Sequence, residues 1–278
     1  MSGKIGIMQG RLVPPVDGRI QAFPSALWRD EFAAARQAGL AAIEWIFDVE
    51  DDGLNPLATD YGIAEMLSLI NESKVSVNSL CADYFISQLF LKGTAEERQN
   101  RFDKYLWLLD RCSAVGIGRI VLPFVDRSKV DGDNEIASLI NFLKSAVLHS
   151  SNRNIELHLE TSLGPQPFAF VIDAVNHPML KVNYDSGNSS SLGFDSDEEF
   201  AAYGTHIGSV HIKDRLFEGT TVPLGQGDAD FGKISTNLRR ISYTGDFILQ
   251  VSRGVPGDEV NWARLNLEFV KNLLAQES

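Results

Sequence analysis

Short apolar, β-branched runs alternate with longer segments of helical period from one end of the chain to the other. The strand-type runs are KIGIMQ (Lys4–Gln9), AAIEWI (Ala41–Ile46), VSVNSLC (Val75–Cys81) and RIVLP (Arg119–Pro123). They continue with NIELHLE (Asn154–Glu160), LKVNYD (Leu180–Asp185), GSVHIK (Gly208–Lys213) and DFILQV (Asp246–Val251). Between them, apolar residues recur with the period of an amphipathic helix over Trp28–Ala38, Ala64–Glu72, Glu96–Val115 and Asn134–Leu148. The same period runs through Phe168–Asn176, Ile234–Arg240 and Val260–Leu274, whereas the segment after Asp185 is the poorest helix.

About eight strand–helix units without a linker or low-complexity break predict parallel β/α architecture. An open doubly wound sheet would carry a glycine-rich phosphate turn after its first strand. Here the first strand runs into QGRLVPP, which is no GxGxxG. Closing the sheet into a (β/α)8 TIM barrel leaves no edges, and such barrels need about 250 residues. The expectation is one α/β barrel domain spanning residues 1–278.

Barrel chemistry sits at the C-terminal ends of the strands. Glu44, Asp83, Glu160, Asp185, His211 and Gln250 each close an apolar run there. Period-two alternation sharpens the pattern. With Glu160 inward, His158 and Glu156 follow it, and Leu157 and Leu159 face the helices. With Asp185 inward, Asn183 joins it; with His211 inward, Ser209 and Lys213 join it. Taken singly, each polar end reads as a loop residue. Glu160, Asp185, His211 and Gln250 on consecutive strands together point to one divalent cation. Oxygen donors with a single imidazole suit Mn, Mg or Co ahead of Zn.

Composition narrows the partners. The net charge is −12, from 25 Lys and Arg against 37 Asp and Glu, and the basic residues are scattered, which disfavours nucleic acid. No run approaches the roughly 18 apolar residues of a membrane span, and MSGKIGIMQG has no signal-type apolar core. Cys81 and Cys112 read as free thiols of a reducing compartment. These features predict a cytoplasmic enzyme with a small-molecule partner, with a homo-oligomer as an open option.

HLE at Glu160, NYDSGN at Asp185–Asn188, VHIKD at His211–Asp214 and LGQGDADF at Leu224–Phe231 resemble the xylose isomerase-like sugar phosphate isomerase/epimerase family. IGIMQGR at the start and IEW around Glu44 extend the likeness over nearly the whole chain. The resemblance implies a barrel holding one divalent metal through Glu, Asp, His and a final Glu, and proton transfer beside the carbonyl of a keto-sugar or its phosphate. Glu160, Asp185 and His211 match the first three ligands. Gln250 stands where the family usually has glutamate, and an amide ligates a hard cation but accepts no proton at neutral pH.

On that reading Glu160 is base as well as ligand, and His158 or Glu44 supplies a second proton relay. Lys213 orients substrate or neutralises Asp214. Arg11, Arg215 and Arg253 lie on loops at the barrel mouth and suit a phosphate or carboxylate, with Asn188 beside them. A metal-dependent dehydratase of inosose or dehydroshikimate type uses the same first step, and a sugar-binding homologue with lost catalysis would carry Gln250 as its mark. An abasic-site endonuclease on this barrel uses several zinc ions and many histidines, against five here.

Overall fold

The protein is described by a computed structural model over residues 3–49 and 53–275. Seven barrel strands come first: β1 (Ile5–Met8), β2 (Ala42–Ile46), β3 (Ser76–Cys81), β4 (Arg119–Phe124), β5 (Glu156–Thr161), β6 (Leu180–Asp185) and β7 (Ile207–Ile212). A two-stranded hairpin, β8 (Asp214–Arg215) and β9 (Thr221–Val222), precedes the last barrel strand, β10 (Asp246–Leu249). The eight barrel strands pair in parallel around a closed ring in the order β1-β10-β7-β6-β5-β4-β3-β2. This is the TIM barrel that the alternation of runs predicts.

The helices are α1 (Asp30–Ala38), α2 (Asp60–Ser73), α3 (Tyr84–Ser87), α4 (Ala95–Val115), α5 (Gly132–Ser151), α6 (Pro165–Val175), α7 (Ser186–Ser191), α8 (Ser196–Tyr203), α9 (Phe231–Arg240) and α10 (Glu259–Ala275). Local chemistry sets several ends. Thr94 and Glu97 form a reciprocal capping box at the start of α4, and Gly116 closes it in the left-handed region at φ 87°. The weak helical segment after Asp185 resolves into α7 and α8. In α7, Ser190 Oγ donates to Gly187 O (3.0 Å) and Ser191 Oγ to Asn188 O (3.3 Å). Serine competes for backbone partners in this way, which is why its run gives so faint a helical signal.

Alternation holds as expected. Leu157, Leu159, Val182, Tyr184, Val210 and Ile212 are buried in the hydrophobic core between strands and helices. Trp28, Trp45 and Phe124 are core residues, and Trp107 is half-buried against the core, with its ring beside Phe47. Asn183, Ser209, His158 and Glu160 are buried as well, on the opposite strand face inside the barrel. A β-bulge adjusts this polar column, because Val182 pairs with Ile207 and Asn183 with Ser209, leaving Gly208 as the extra residue. A Cβ on Gly208 would lie 2.6 Å from His158 Cε1, so only glycine leaves room for that ring.

The N-terminal end of the barrel is tied by one carboxylate. Asp246 on β10 accepts from Arg119 Nη2 on β4 (2.8 Å), from Asn78 Nδ2 on β3 (2.8 Å) and from the Lys4 backbone N–H (2.8 Å). Strands β10 and β4 lie on opposite sides of the ring. Burial opposes ionisation of Asp246, but Arg119 and these hydrogen bonds outweigh it and hold the carboxyl below its ordinary value. Asp246→Ala leaves the Arg119 guanidinium buried without its counterion. We expect a loss on the order of 3 kcal/mol in urea unfolding at pH 7. A depressed folded pKa gives stability above the unfolded value that is lost as pH falls. The difference between variant and natural protein should therefore shrink below about pH 4.

Candidate functional site

Three strand ends meet at one point. Single donor atoms of Glu160, Asp185 and His211 all lie within 4.8 Å of one another, and all three residues are buried. Each is held by neighbours that leave that point free. Asp185, at the end of β6, accepts on Oδ1 from the Gly187 (2.9 Å) and Asn188 (2.8 Å) backbone N–H groups, capping α7, while Oδ2 faces the cluster. Glu160 accepts on Oε2 from Asn183 Nδ2 (2.9 Å) and on Oε1 from Asn188 Nδ2 (2.7 Å).

His211 is fixed from below. Its Nε2 lies 2.6 Å from Oε1 of Glu44, and both side chains are fully buried. Nδ1 has no hydrogen-bond partner, although it lies 3.5 Å from Glu160 Oε2 and 4.0 Å from Asp185 Oδ2. Burial disfavours a charged ring, yet Glu44 and then Glu160 outweigh it and lift His211 to about 10. A buried imidazole nitrogen aimed without a partner at two carboxylates fits a cation between the three. The carboxylate on the far nitrogen is the usual support of a metal-bound histidine.

Glu160 also lines a cavity of about 340 Å³. Of the residues singled out from the sequence, Arg11, Asp83, Glu160, Asn188, Lys213, Arg215 and Gln250 line it. Lys213 Nζ reaches Asp185 Oδ2 (3.4 Å), Asn188 Oδ1 (3.2 Å) and Gln250 Oε1 (3.2 Å). Gln250 thus meets the Lys213 ammonium with its amide oxygen. Arg215 Nη1 donates to Asn188 Oδ1 (3.1 Å), and its Nε and Nη2 hold Gly219 O. Arg11 spends Nε on Val251 O (2.9 Å), Nη1 on Ile20 O and Nη2 on Gln21 Oε1 (3.1 Å). Burial first, then neighbouring Arg253, lowers its guanidinium to about 9.

Other expectations resolve differently. Glu44 lies beneath the cavity, bonded to His211 rather than exposed to a substrate. His158 is also fully buried, its Nδ1 2.6 Å from Ser209 Oγ and Nε2 3.0 Å from Glu156 Oε2. Ser209 donates to Asn183 Oδ1 (2.6 Å), so two side chains separate His158 from Glu160. Arg253 binds the carbonyls of Val13 (2.9 Å) and Ile20 (3.2 Å) and does not line the cavity. Lys213 does not neutralise Asp214. That carboxylate is satisfied by the backbone N–H groups of Gly225, Gly227 and Ala229, which ties the LGQGD loop to the end of VHIKD.

Gln21 and Cys81 also line the cavity. Gln21 lies in the aperiodic loop after β1 and gave no sequence signal. Asp83 was legible only as a polar strand end.

Glu44→Gln removes the carboxylate that holds His211 Nε2 while keeping its volume. We expect Mn²⁺ affinity, read by titration calorimetry, to fall by about 10- to 100-fold with the fold intact. Unchanged affinity would separate Glu44 from the orientation of the ring.

The chain matches the xylose isomerase-like TIM barrel family over residues 32–273. It is 26% identical over 266 residues to an L-ribulose-5-phosphate 3-epimerase, UlaE, of Escherichia coli (strain SMS-3-5 / SECEC), covering 90% of both chains. Among solved structures it is similar to the zinc-bound IOLI protein, with a TM-score of 0.78 and 14% identity over 98% of both chains. It is similar also to D-psicose 3-epimerase with D-tagatose from Clostridium cellulolyticum H10. There the TM-score is 0.73 and the identity 15%, over 98% of this chain and 99% of that one. With the family match running from α1 to α10, the protein belongs to the xylose isomerase-like TIM barrel family.

Proposed function

We propose that the protein is a divalent-metal-dependent isomerase or epimerase of a sugar or sugar phosphate, moving a proton at a carbon next to the carbonyl. The observation that carries this reading is the convergence of Glu160, Asp185 and the unpartnered Nδ1 of His211, with Glu160 also lining a polar cavity beside Lys213 and Gln250. The names of the relatives, a ribulose-phosphate epimerase and a psicose epimerase with a ketose, support it.

Glu160, Asp185 and His211 would hold the ion, with Gln250 Oε1 as a neutral fourth donor. When bound, such an ion polarises a carbonyl and its neighbouring hydroxyl and stabilises the negative charge left by deprotonation. The residues of the chain supply the rest. Glu160, pinned on both oxygens by Asn183 and Asn188, takes the proton from the carbon, work that contributes about 10²- to 10⁴-fold in rate. Lys213 and Arg215 flank Asn188 and orient the substrate's oxygens or its phosphate. Gly187 makes room for that arrangement, since a Cβ there would lie 2.5 Å from Lys213 Cγ.

The test is metal content together with a screen of ketoses, ketose phosphates and inosose-type ketones in deuterated water. Deuterium next to the carbonyl with formation of an isomer or epimer is expected. Loss of water would indicate a dehydratase instead, and no exchange with any substrate would overturn the reading. His211→Ala and Asp185→Ala should abolish activity and metal retention while circular dichroism stays native, because the core is built from the aliphatic strand faces. Gln250→Glu restores a negative charge beside the ion and should bind Mn²⁺ more tightly; unchanged affinity would place Gln250 outside the coordination sphere.

A further inference from the structure

Inverting a carbon needs two proton-handling groups, one for each face, and Gln250 carries an amide that does not titrate. We propose that Asp83 is the second proton-handling group of this cavity, an inference that rests on the isomerase/epimerase reading above. It sits just past β3, two strands along the ring from β5, which carries Glu160. Glu160 and Asp83 line the same cavity. Asp126 is the third carboxylate among its described lining residues, and it is exposed to solvent whereas Asp83 is half-buried.

The placement of Asp83 is unusual for its backbone. It immediately precedes α3, where an aspartate commonly turns its carboxylate back onto helix N–H groups, yet it makes no capping bond. Oδ2 instead accepts from Gln21 Nε2 (2.6 Å), and Oδ1 from Cys81 Sγ (3.1 Å). Gln21 Oε1 in turn accepts from Gln250 Nε2 (3.0 Å). One side chain thus separates Asp83 from the position where the family's last glutamate usually stands. Burial first, then the negative charges of Glu160 and Asp48, raise the carboxyl to about 6 against the pull of Gln21 and Cys81. Both protonation states are therefore accessible near neutral pH.

The step balances without a co-reactant. The Glu160 carboxylate removes the proton beside the carbonyl, and the C–H electron pair moves into an enediolate. The Asp83 carboxyl donates its proton to the opposite face of the same carbon, the enediolate pair forms the new C–H bond, and the carbonyl returns. Glu160 ends protonated and Asp83 ionised. Proton exchange with water restores the start, and the reverse reaction exchanges the two roles.

The experiment compares the natural protein with Asp83→Asn, Asp83→Glu and Asp83→Asn/Gln250→Glu. All are Mn²⁺-loaded and checked for native circular dichroism and metal content. D-tagatose and L-ribulose 5-phosphate are the substrates, in deuterated water. We expect Asp83→Asn to keep deuterium uptake with retained configuration while epimer formation falls by about 100-fold or more. Asp83→Glu and the double variant should recover epimer, which a purely structural role would not produce. Epimer formation at the natural rate in Asp83→Asn would overturn the inference alone. Loss of exchange together with epimer in that variant, with metal retained, would also overturn it, since Asp83 would then serve binding. If the natural protein exchanges deuterium with neither substrate nor any in the wider screen, the isomerase reading falls and the inference falls with it.

Discussion

Glu44, Glu160 and Asp185 are buried within one another's fields at the C-terminal end of the barrel, and three carboxylates held so close need hydrogen-bond donors and positive charge to stay ionised. His211 is wedged among them, and Lys213 leans on Asp185 from the cavity side. Much of the surrounding structure answers this constraint. Asn183 and Asn188 saturate Glu160, backbone amides of α7 saturate one oxygen of Asp185, and Glu44 saturates one nitrogen of His211. Oε2 of Glu44 and Nδ1 of His211 stay unsatisfied, and Nδ1 is the atom that faces the two remaining carboxylates. A divalent cation is the simplest species that completes this balance.

The same constraint shapes the barrel below. A polar column descends from Glu160 through Asn183, Ser209 and His158 to Glu156, each linked by a hydrogen bond. It fixes Glu160 from beneath, and a bulge and a glycine in β7 make room for the His158 ring. At the opposite end Asp246 and Arg119 close the ring electrostatically. The aliphatic strand faces and helices then supply the hydrophobic burial, which leaves the interior free for function.

Much of this was legible in the sequence. The strand runs end within a residue or two of the strands, because a buried parallel strand must be apolar outward and its polar positions stand out at period two. Glu160, Asp185 and His211 showed themselves for that reason. The roles of Glu44 and His158 were not legible, since alternation tells which face a side chain takes but not how deep it lies. Helices α7 and α8 were faint because their stability comes from buried serine and carboxylate contacts and not from propensity, as with Ser189 Oγ donating to Glu199 Oε2 (2.5 Å). Gln21 and Asp83 meet only once the barrel closes, 62 residues apart in the chain. No local pattern encodes that meeting.

The account turns on a cation among Glu160, Asp185 and His211. Anomalous diffraction from crystals soaked in Mn²⁺ tests it most directly. The account predicts one strong site at about 2.0–2.4 Å from Glu160, Asp185 and the Nδ1 of His211, with Nε2 still bonded to Glu44. An ion bound elsewhere in the barrel, or Mn²⁺ absent from this point at saturating concentration, would contradict it.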